Sequence, residues 1–473
     1  MSTFSGLNTA TTALWAQQRG LDVTGQNIAN VNTPGYTRQR AELQSVGGNA
    51  VPAIYATSNQ IGQGVDADTV IRIRDAFLEG RAQLESGATA RLTVADDTLA
   101  SIEQAFREPG TTGIQSKLTA VYTAWQDVAN HPNDKTTDGA RTAVLQTTAS
   151  LVAELHTTAA NLEKQATQTR DSLGTLAQDV NAKTSSIADL NTAIKRATQA
   201  GLPVNELADK RDVLVLELSA AIGATSRPGD DGQVDVAVGG ATLVSGGSTI
   251  ALELTNPSTV PAFVTKPGGT PVAVGGTAGG KLTALAVTLP DYRDQLDAVA
   301  QKIASELNGA HTNGVTVGGV TTVTTDKNGD PGGPMFDDGA GGTTAITAAN
   351  LRLTITDPAK LAAASIPGKS SDGTNAVKIA QLQNAPGGAA STYRQLIVGL
   401  GVEASVATSN LATQRVVSSQ VDASRESVSG VNLDEEMTNM LQFQHAYSAA
   451  ARMITTIDET LDVLINRTGR VGL

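Results

Sequence analysis

Apolar residues recur at every seventh position in three long stretches of this chain, and in two other stretches they alternate at every second position instead. Leu7, Leu14, Leu21 and Ile28 fall seven apart, with Ala10 and Val31 on the neighbouring seam. The spacing predicts a helix over 5–31 whose single apolar stripe suits a partner helix. Gly20 and Gly25 each cost roughly 1 kcal/mol relative to alanine in a helix interior, so this helix needs that partner. Pro34 ends it, because proline disfavours the α conformation in Thr33 before it and offers no amide donor. Gly35 tolerates positive φ, and Thr33 to Tyr36 therefore reads as a fixed turn.

The expected partner lies at the other end of the chain. Leu433, Met440, Tyr447, Ile454 and Leu461 are again seven apart, and Phe443, Ala450, Ile457 and Leu464 fill the position three residues later. Asn432 with Glu435 resembles a capping box, and Asp434, Glu435 and Glu436 lie at the positive end of the helix dipole, so this helix starts near Leu433.

Between the ends, 41–73 reads as extended or irregular chain, with short alternations such as Val70-Ile-Arg-Ile-Arg74. Helical spacing runs from Asp75 to about Arg107, and a short helix carries Ile114, Leu118, Val121, Tyr122 and Trp125. The longest periodic run follows. Leu145, Val152, Ala159, Ala166, Leu173, Val180, Ile187 and Ile194 are spaced by sevens, with Leu155, Leu162, Leu176 and Leu190 on the companion seam. That predicts a rod of about 60 residues, on the order of 90 Å long. Asn205 to Ala221 adds one more helix. From Gly223 to Gly280 short alternating runs predict strands, Lys281 to His311 returns to helix, a Gly-rich β-like insertion spans 315–372, and helical spacing resumes from Ala376.

The fold class expected is therefore mainly α with β insertions. Paired coiled-coil helices at 1–75 and 425–473 form a terminal domain, helices at 76–222, 281–314 and 373–424 a rod domain, 223–280 a small outer β domain, and 315–372 an insertion. Narrow-striped, Gly-interrupted terminal helices cannot offset their ordering entropy alone, so the terminal domain is expected to be disordered in the free monomer.

Composition narrows the function. At 473 residues the chain has room for about three domains. Aromatic residues make up only 3%, which favours long helix contacts over one large interior. A net charge of −12 argues against nucleic acid or an anionic membrane as main partner. There is no cysteine for disulfide or thiol chemistry. No apolar run approaches the ~20 residues that span a bilayer. The opening Met-Ser-Thr-Phe-Ser-Gly has neither a basic nor an apolar segment, so no cleaved secretory signal is expected.

Candidate chemistry is sparse. Gly275-Gly-Thr-Ala-Gly-Gly-Lys281 fits most of a phosphate-binding loop, but Leu282 stands where a hydroxyl must bind magnesium, and a flexible return from the β domain is the expected role. Asp326-Lys-Asn-Gly-Asp330 with Asp337 approximates a calcium loop, yet Pro331 replaces the glycine of its sharp turn, leaving an Asx-rich turn. His131, His156, His311 and His445 show no ligand spacing and read as surface or partly buried side chains. For Asp434, Glu435 and Glu436 a helix-start role suffices. No catalytic set, cofactor site or metal site is expected.

Asn27-Ile-Ala-Asn-Val-Asn-Thr-Pro-Gly-Tyr36 resembles the signature shared by axial proteins of the bacterial flagellum. Ser429-Gly-Val-Asn-Leu-Asp-Glu-Glu436 and Ile454-Thr-Thr-Ile-Asp-Glu-Thr-Leu-Asp462 resemble the C-terminal signature of the FlgK family of flagellar hook-associated proteins, and Asn205 to Ser219 is similar to an internal helix of that family. The resemblance covers the ends and the first half well and 223–372 poorly. It implies a structural subunit of the hook–filament junction, exported through the flagellar type III channel without a cleaved signal and located outside the cell in the flagellum. It also implies a homo-oligomeric ring with the hook protein, hook-associated protein 3, the filament cap protein during growth and an export chaperone on the C-terminal segment as partners. On this reading the two stripes are the assembly interface, Leu7, Leu14, Leu21 and Ile28 with Leu433, Met440, Tyr447, Ile454 and Leu461. Asn27, Asn30, Thr33, Pro34, Gly35 and Tyr36 form the signature turn. A hook or distal-rod protein is the alternative, since that turn is shared among axial proteins, and a nucleotide- or calcium-binding protein a remote one.

Overall fold

The computed structural model describes residues 3–47, 62, 64–133, 138–255, 260–312, 315–317, 320–343 and 345–467. In chain order, helix α1 (Thr3–Ala29) is followed by short strands β1 (Gln39–Ala41), β2 (Gln44–Val46), β3 (Gly64–Asp66) and β4 (Val70–Arg72). Helices α2 (Ala76–Phe106), α3 (Ile114–Asn130), α4 (Gly139–Gln199) and α5 (Asn205–Ile222) come next. Strands β5 (Thr225–Pro228), β6 (Val234–Val238), β7 (Ala241–Ser245), β8 (Ser248–Thr249), β9 (Ala251–Thr255) and β10 (Ala262–Lys266) precede helices α6 (Gly276–Thr283) and α7 (Leu289–Thr312). The insertion carries β11 (Val315–Val317), β12 (Val320–Thr322), β13 (Phe336–Asp337) and β14 (Arg352–Leu353), and helices α8 (Thr374–Gln381), α9 (Ala389–Ser429) and α10 (Leu433–Asp462) finish the chain. The molecule is mainly α with β insertions.

The chain forms two units, one of residues 1–87, 180–251 and 415–473 and the other of 88–179 and 252–414. In the first, the turn after α1 closes through amides of Thr33 and Tyr36 donating to the carbonyls of Asn30 and Thr33. Gly35 has φ of 79°, and a side chain there would meet Val213 Cγ2 at 2.3 Å, so positive φ and close approach both require glycine. The chain then makes an antiparallel ribbon, β1 on β4 with Gln39 opposite Arg72, and β2 on β3 with Ser45 opposite Val65. Helix α5 ends at Gly223 in the left-handed conformation. Strands β5 to β8 form an antiparallel meander in that order, with Val236, Val238, Leu243 and Val244 buried. Asn191 of α4 holds the meander by donating to the carbonyls of Val234 and Gly246 at 2.7 and 2.8 Å.

The second unit takes its core from heptad faces. Ile114, Leu118, Val121, Tyr122 and Trp125 of α3 are buried, as are Leu145, Val152, Leu155, Ala159, Leu162 and Leu173 of α4. On α7, Leu296, Val299, Ile303 and Leu307 are buried at helical spacing. Strands β9 and β10 pair with each other, separate from the meander. The strands between 225 and 266 therefore belong to different sheets, and the chain leaves one unit for the other between Ala251 and Leu252, at the start of β9.

Candidate functional site

Helices α1 and α10 pack against each other, and three contacts define how. A side chain at Gly6 would lie 3.5 Å from Ile457, one at Gly20 would lie 2.6 Å from the Phe443 ring, and Asn27 donates to Glu436 at 3.1 Å. Positions rise along α1 as they fall along α10, so the helices run antiparallel. The face of α1 in the seam is Gly6, Gly20 and Asn27, and small residues there let the helix axes approach closely. The apolar stripe is displaced by one position. Leu7, Leu14, Leu21 and Ile28 are half-buried along the edge of the pair, and on α10 Met440, Tyr447, Ile454 and Leu461 are half-buried while Leu433 is exposed. The companion residues Phe443, Ala450 and Ile457 are the ones facing α1.

At the end of this pair Asn27 is buried and fully hydrogen-bonded. Its Nδ2 donates to the carbonyl of Gln39 at 2.9 Å and to Glu436 Oε2, while its Oδ1 accepts from the Gln39 amide at 3.0 Å and from the Tyr36 hydroxyl at 2.8 Å. The side-chain amide thus pairs with a backbone peptide as a neighbouring strand would, extending the β1 ladder. Glu436, 2% exposed, accepts from Arg38 Nε at 2.7 Å, and Glu435 accepts from Arg38 Nη1 at 2.7 Å. The Arg38 amide also donates to the carbonyl of Ser429 at 2.9 Å. Asn432 caps α10 by accepting from the amides of Asp434 and Glu435. The helix-start role assigned to Glu435 and Glu436 is therefore incomplete, since both carboxylates bind Arg38 from the opposite end of the chain.

Helix α5 supplies the third side. Asp209 accepts from the Thr37 amide at 3.1 Å and from Arg72 Nη1 at 2.8 Å. Asp212 binds Arg72 at 2.8 Å, Arg211 at 3.1 Å, and Arg74. Arg74 continues to Glu79 at 2.7 Å, and Glu79 binds Arg425 of α9 at 3.1 Å. Burial would raise the Asp212 carboxyl, but Arg74, Arg211 and Arg72 outweigh it and hold the group below its usual range. Tyr36 is pushed up to about 12, first by burial and then by Asp209 and Glu436, so it remains a hydroxyl donor.

The three stretches singled out in the sequence, 27–36, 205–219 and 429–436, therefore meet in one place. Asn30 and Thr33 sit on the outside of the turn, where Thr33 Oγ1 donates to Asn30 Oδ1 at 3.1 Å, and Pro34 is exposed. Beside the turn lies an open groove of about 640 Å³ lined by Pro34, Tyr36, Leu190, Val213 and Leu214 among others. Sequence reasoning missed Arg38, Arg72, Arg74, Asp209 and Asp212. A signal was present, since Arg72 and Arg74 share a strand face and Asp209 and Asp212 a helix face.

The near-miss loops have other occupations. Residues 276–283 are helical, and a side chain at Gly280 would meet Val94 at 2.8 Å. The glycine lets two helices pack closely, and Lys281 donates to Ser172 at 2.8 Å. A flexible return is not what forms there. Asp326 Oδ1 accepts from the amides of Asn328 and Asp330 at 2.8 and 2.9 Å, an Asx turn. His311, expected as a surface or partly buried side chain, is wholly buried. Among the described residues no group of three or more His, Cys, Asp or Glu could hold a metal ion.

The family model described as flagellar hook-associated protein FlgK helical domain matches residues 99–336. Models for flagella basal body rod protein and for the flagellar basal body rod FlgEFG protein C-terminal region match 7–37 and 423–467, the segments that carry the α1–α10 pair. The chain is 30% identical to flagellar hook-associated protein 1 of Bacillus subtilis (strain 168), covering 100% of this chain and 99% of that protein. It is 26% identical to flagellar hook-associated protein 1 of Escherichia coli (strain K12), covering 97% and 99%. The solved structure of the flagellar hook junction protein FlgK from Burkholderia pseudomallei matches with a TM-score of 0.62 at 17% identity, covering 74% of this chain and 100% of that one. At that identity the likeness concerns the fold.

Proposed function

Because this chain belongs to the family of flagellar hook-associated protein 1, a family of structural proteins of the flagellum, we propose that it is a non-enzymatic subunit of the junction between hook and filament. The terminal domain, 1–75 and 425–473, assembles with other copies into a ring. The rod domain and the β segments 223–280 and 315–372 build out from it. The observation that carries this reading is the α1–α10 pair. Two helices of 27 and 30 residues bury little in a lone chain, and of α10 only Glu436 and Ala450 are buried. Leu433, Met437, Leu441 and Met453 are exposed on α10 and Trp15 on α1, an apolar surface that neighbouring copies would cover.

The assembly interface on this reading is the leucine stripe at the edge of the pair, Leu7, Leu14, Leu21 and Ile28, with Leu433, Met440, Tyr447, Ile454 and Leu461. Disorder of these segments during export, before the two ends meet each other and α5, suits passage through a type III export channel, with a chaperone on the C-terminal segment until then. The hook protein, hook-associated protein 3 and, during growth, the filament cap protein are the proposed neighbours. A place in the hook or distal rod draws on the rod-protein matches at the two ends; the helical-domain match over 99–336 weighs against it.

Electron microscopy of a strain lacking this chain, with an assay for flagellin in the medium, tests the proposal. Complete hooks without filaments and flagellin released unpolymerised are expected. Missing hooks would move the protein to the hook or rod, and intact flagella would overturn the role.

A further inference from the structure

Charged groups on six segments of the first unit alternate in sign. Glu436 of α10 binds Arg38, and the adjoining Thr37 amide binds Asp209 of α5. From Asp209 the series passes through Arg72 to Asp212, then through Arg74 to Glu79. It ends at Arg425 of α9, on the helix that leads directly into α10, so the series returns to the element just before the one it leaves.

We infer that this belt is a cooperative clasp. The turn after α1, the β1–β4 ribbon, α5 and the first turn of α10 become ordered together, and neither chain end docks stably without the other and α5. The inference is independent of the flagellar role.

Three features support it. Every interior carboxylate serves more than one donor, and Asp212 alone is shared by Arg72, Arg74 and Arg211. Removing one carboxylate therefore leaves neighbouring guanidiniums partly dry and facing each other, a cost greater than the net worth of a single pair. The side chains are sheltered, with Arg38, Arg72 and Arg74 at 16–20% exposure, unlike the open pair Lys266–Glu253 at 64% and 53%. Asn27 divides its hydrogen bonds among β1, the turn and α10, so its orientation is settled only when all three are in place.

Hydrogen exchange measured by mass spectrometry on the full chain distinguishes a clasp from a set of independent contacts. Asp209→Asn and Glu436→Gln are each expected to speed exchange about tenfold or more. The effect should reach 27–46, 64–74 and the start of α10 together, wherever the substitution lies. The double variant should be little faster than the worse single one. Helix α3, which holds no belt residue, should keep its protection. Acceleration confined to each substituted element, adding in the double variant, would overturn the clasp. Should the charge variants unfold α3 as well, Tyr36→Phe removes only the bond to Asn27; the same distributed acceleration supports the clasp, and a change limited to the turn rejects it.

Discussion

His311 is held on both ring nitrogens. Its Nδ1 donates to the Gly333 carbonyl at 2.6 Å and its Nε2 accepts from the Ala362 amide at 2.7 Å, while the Trp125 ring stands edge-on at 6.4 Å. The Thr324 hydroxyl donates to the His311 carbonyl, so one residue at the end of α7 pins three points of the insertion. Protonation would set an N–H against the Ala362 N–H, and burial brings the imidazole down to about 4, with Arg141 lowering and Asp326 raising it. A histidine whose folded value lies below its unfolded value of about 6.5 binds protons more readily when unfolded, so stability falls as the pH drops from about 6.5 toward 4 and levels off below that. The shift corresponds to on the order of 3 kcal/mol. Denaturant unfolding of the second unit between pH 7 and 4 should show this loss, and the His311 ring resonances should stay in their neutral positions at pH 5.5. Titration of that ring near pH 6.5 would contradict the buried, doubly bonded arrangement.

Along elements, glycine has two meanings that composition does not separate. Gly20 and Gly25 look alike in the α1 pattern, and both lower helix propensity. At Gly25 an added methyl would meet nothing within 4 Å, whereas at Gly20 it would meet three atoms of the Phe443 ring between 2.6 and 2.8 Å. Gly25→Ala should therefore raise stability by roughly 0.5–1 kcal/mol through propensity alone. Gly20→Ala should lower it in spite of the same gain, because overpacking costs about 1–3 kcal/mol. Thermal melts of the two variants decide this, with exchange near residue 443 as the local readout. Equal behaviour would mean that α1 and α10 are not in the antiparallel register seen here. The same reasoning explains the displaced seam. Leucines mark where a helix is apolar, but the closest approach of two axes occurs at the small residues beside them.

In the molecule as a whole, each unit is assembled from separate stretches of chain, three for the first and two for the second. The ends are not appendages, because the residues that hold them, Asp209 and Asp212 on α5, come from the middle of the sequence. The leucine stripe left at the edge of the α1–α10 pair gives the proposed assembly its most direct test. Leu14→Asp should change the stability of the isolated chain by under about 1 kcal/mol, as half-exposed positions do, yet prevent its incorporation into flagella, scored by microscopy of a complemented deletion strain. Incorporation at the normal level would remove that stripe from the interface.

Helix positions, the 61-residue length of α4, the turn at Pro34-Gly35 and the pairing of the two chain ends were all legible in the order of residues. Each rests on local periodicity or on the backbone limits of proline and glycine, which neighbouring residues impose wherever the chain goes. The clasp was not legible. Asn27 and Glu436 are 409 residues apart, and with 34 basic and 46 acidic residues a great many charge pairings are compatible with one sequence. His311 and Gly20 were hidden for a related reason, since burial and close approach belong to what arrives from elsewhere in the chain. Periodicity is carried by a segment alone, whereas a charge, a ring nitrogen or a missing side chain acquires its role from the partner that packing brings to it.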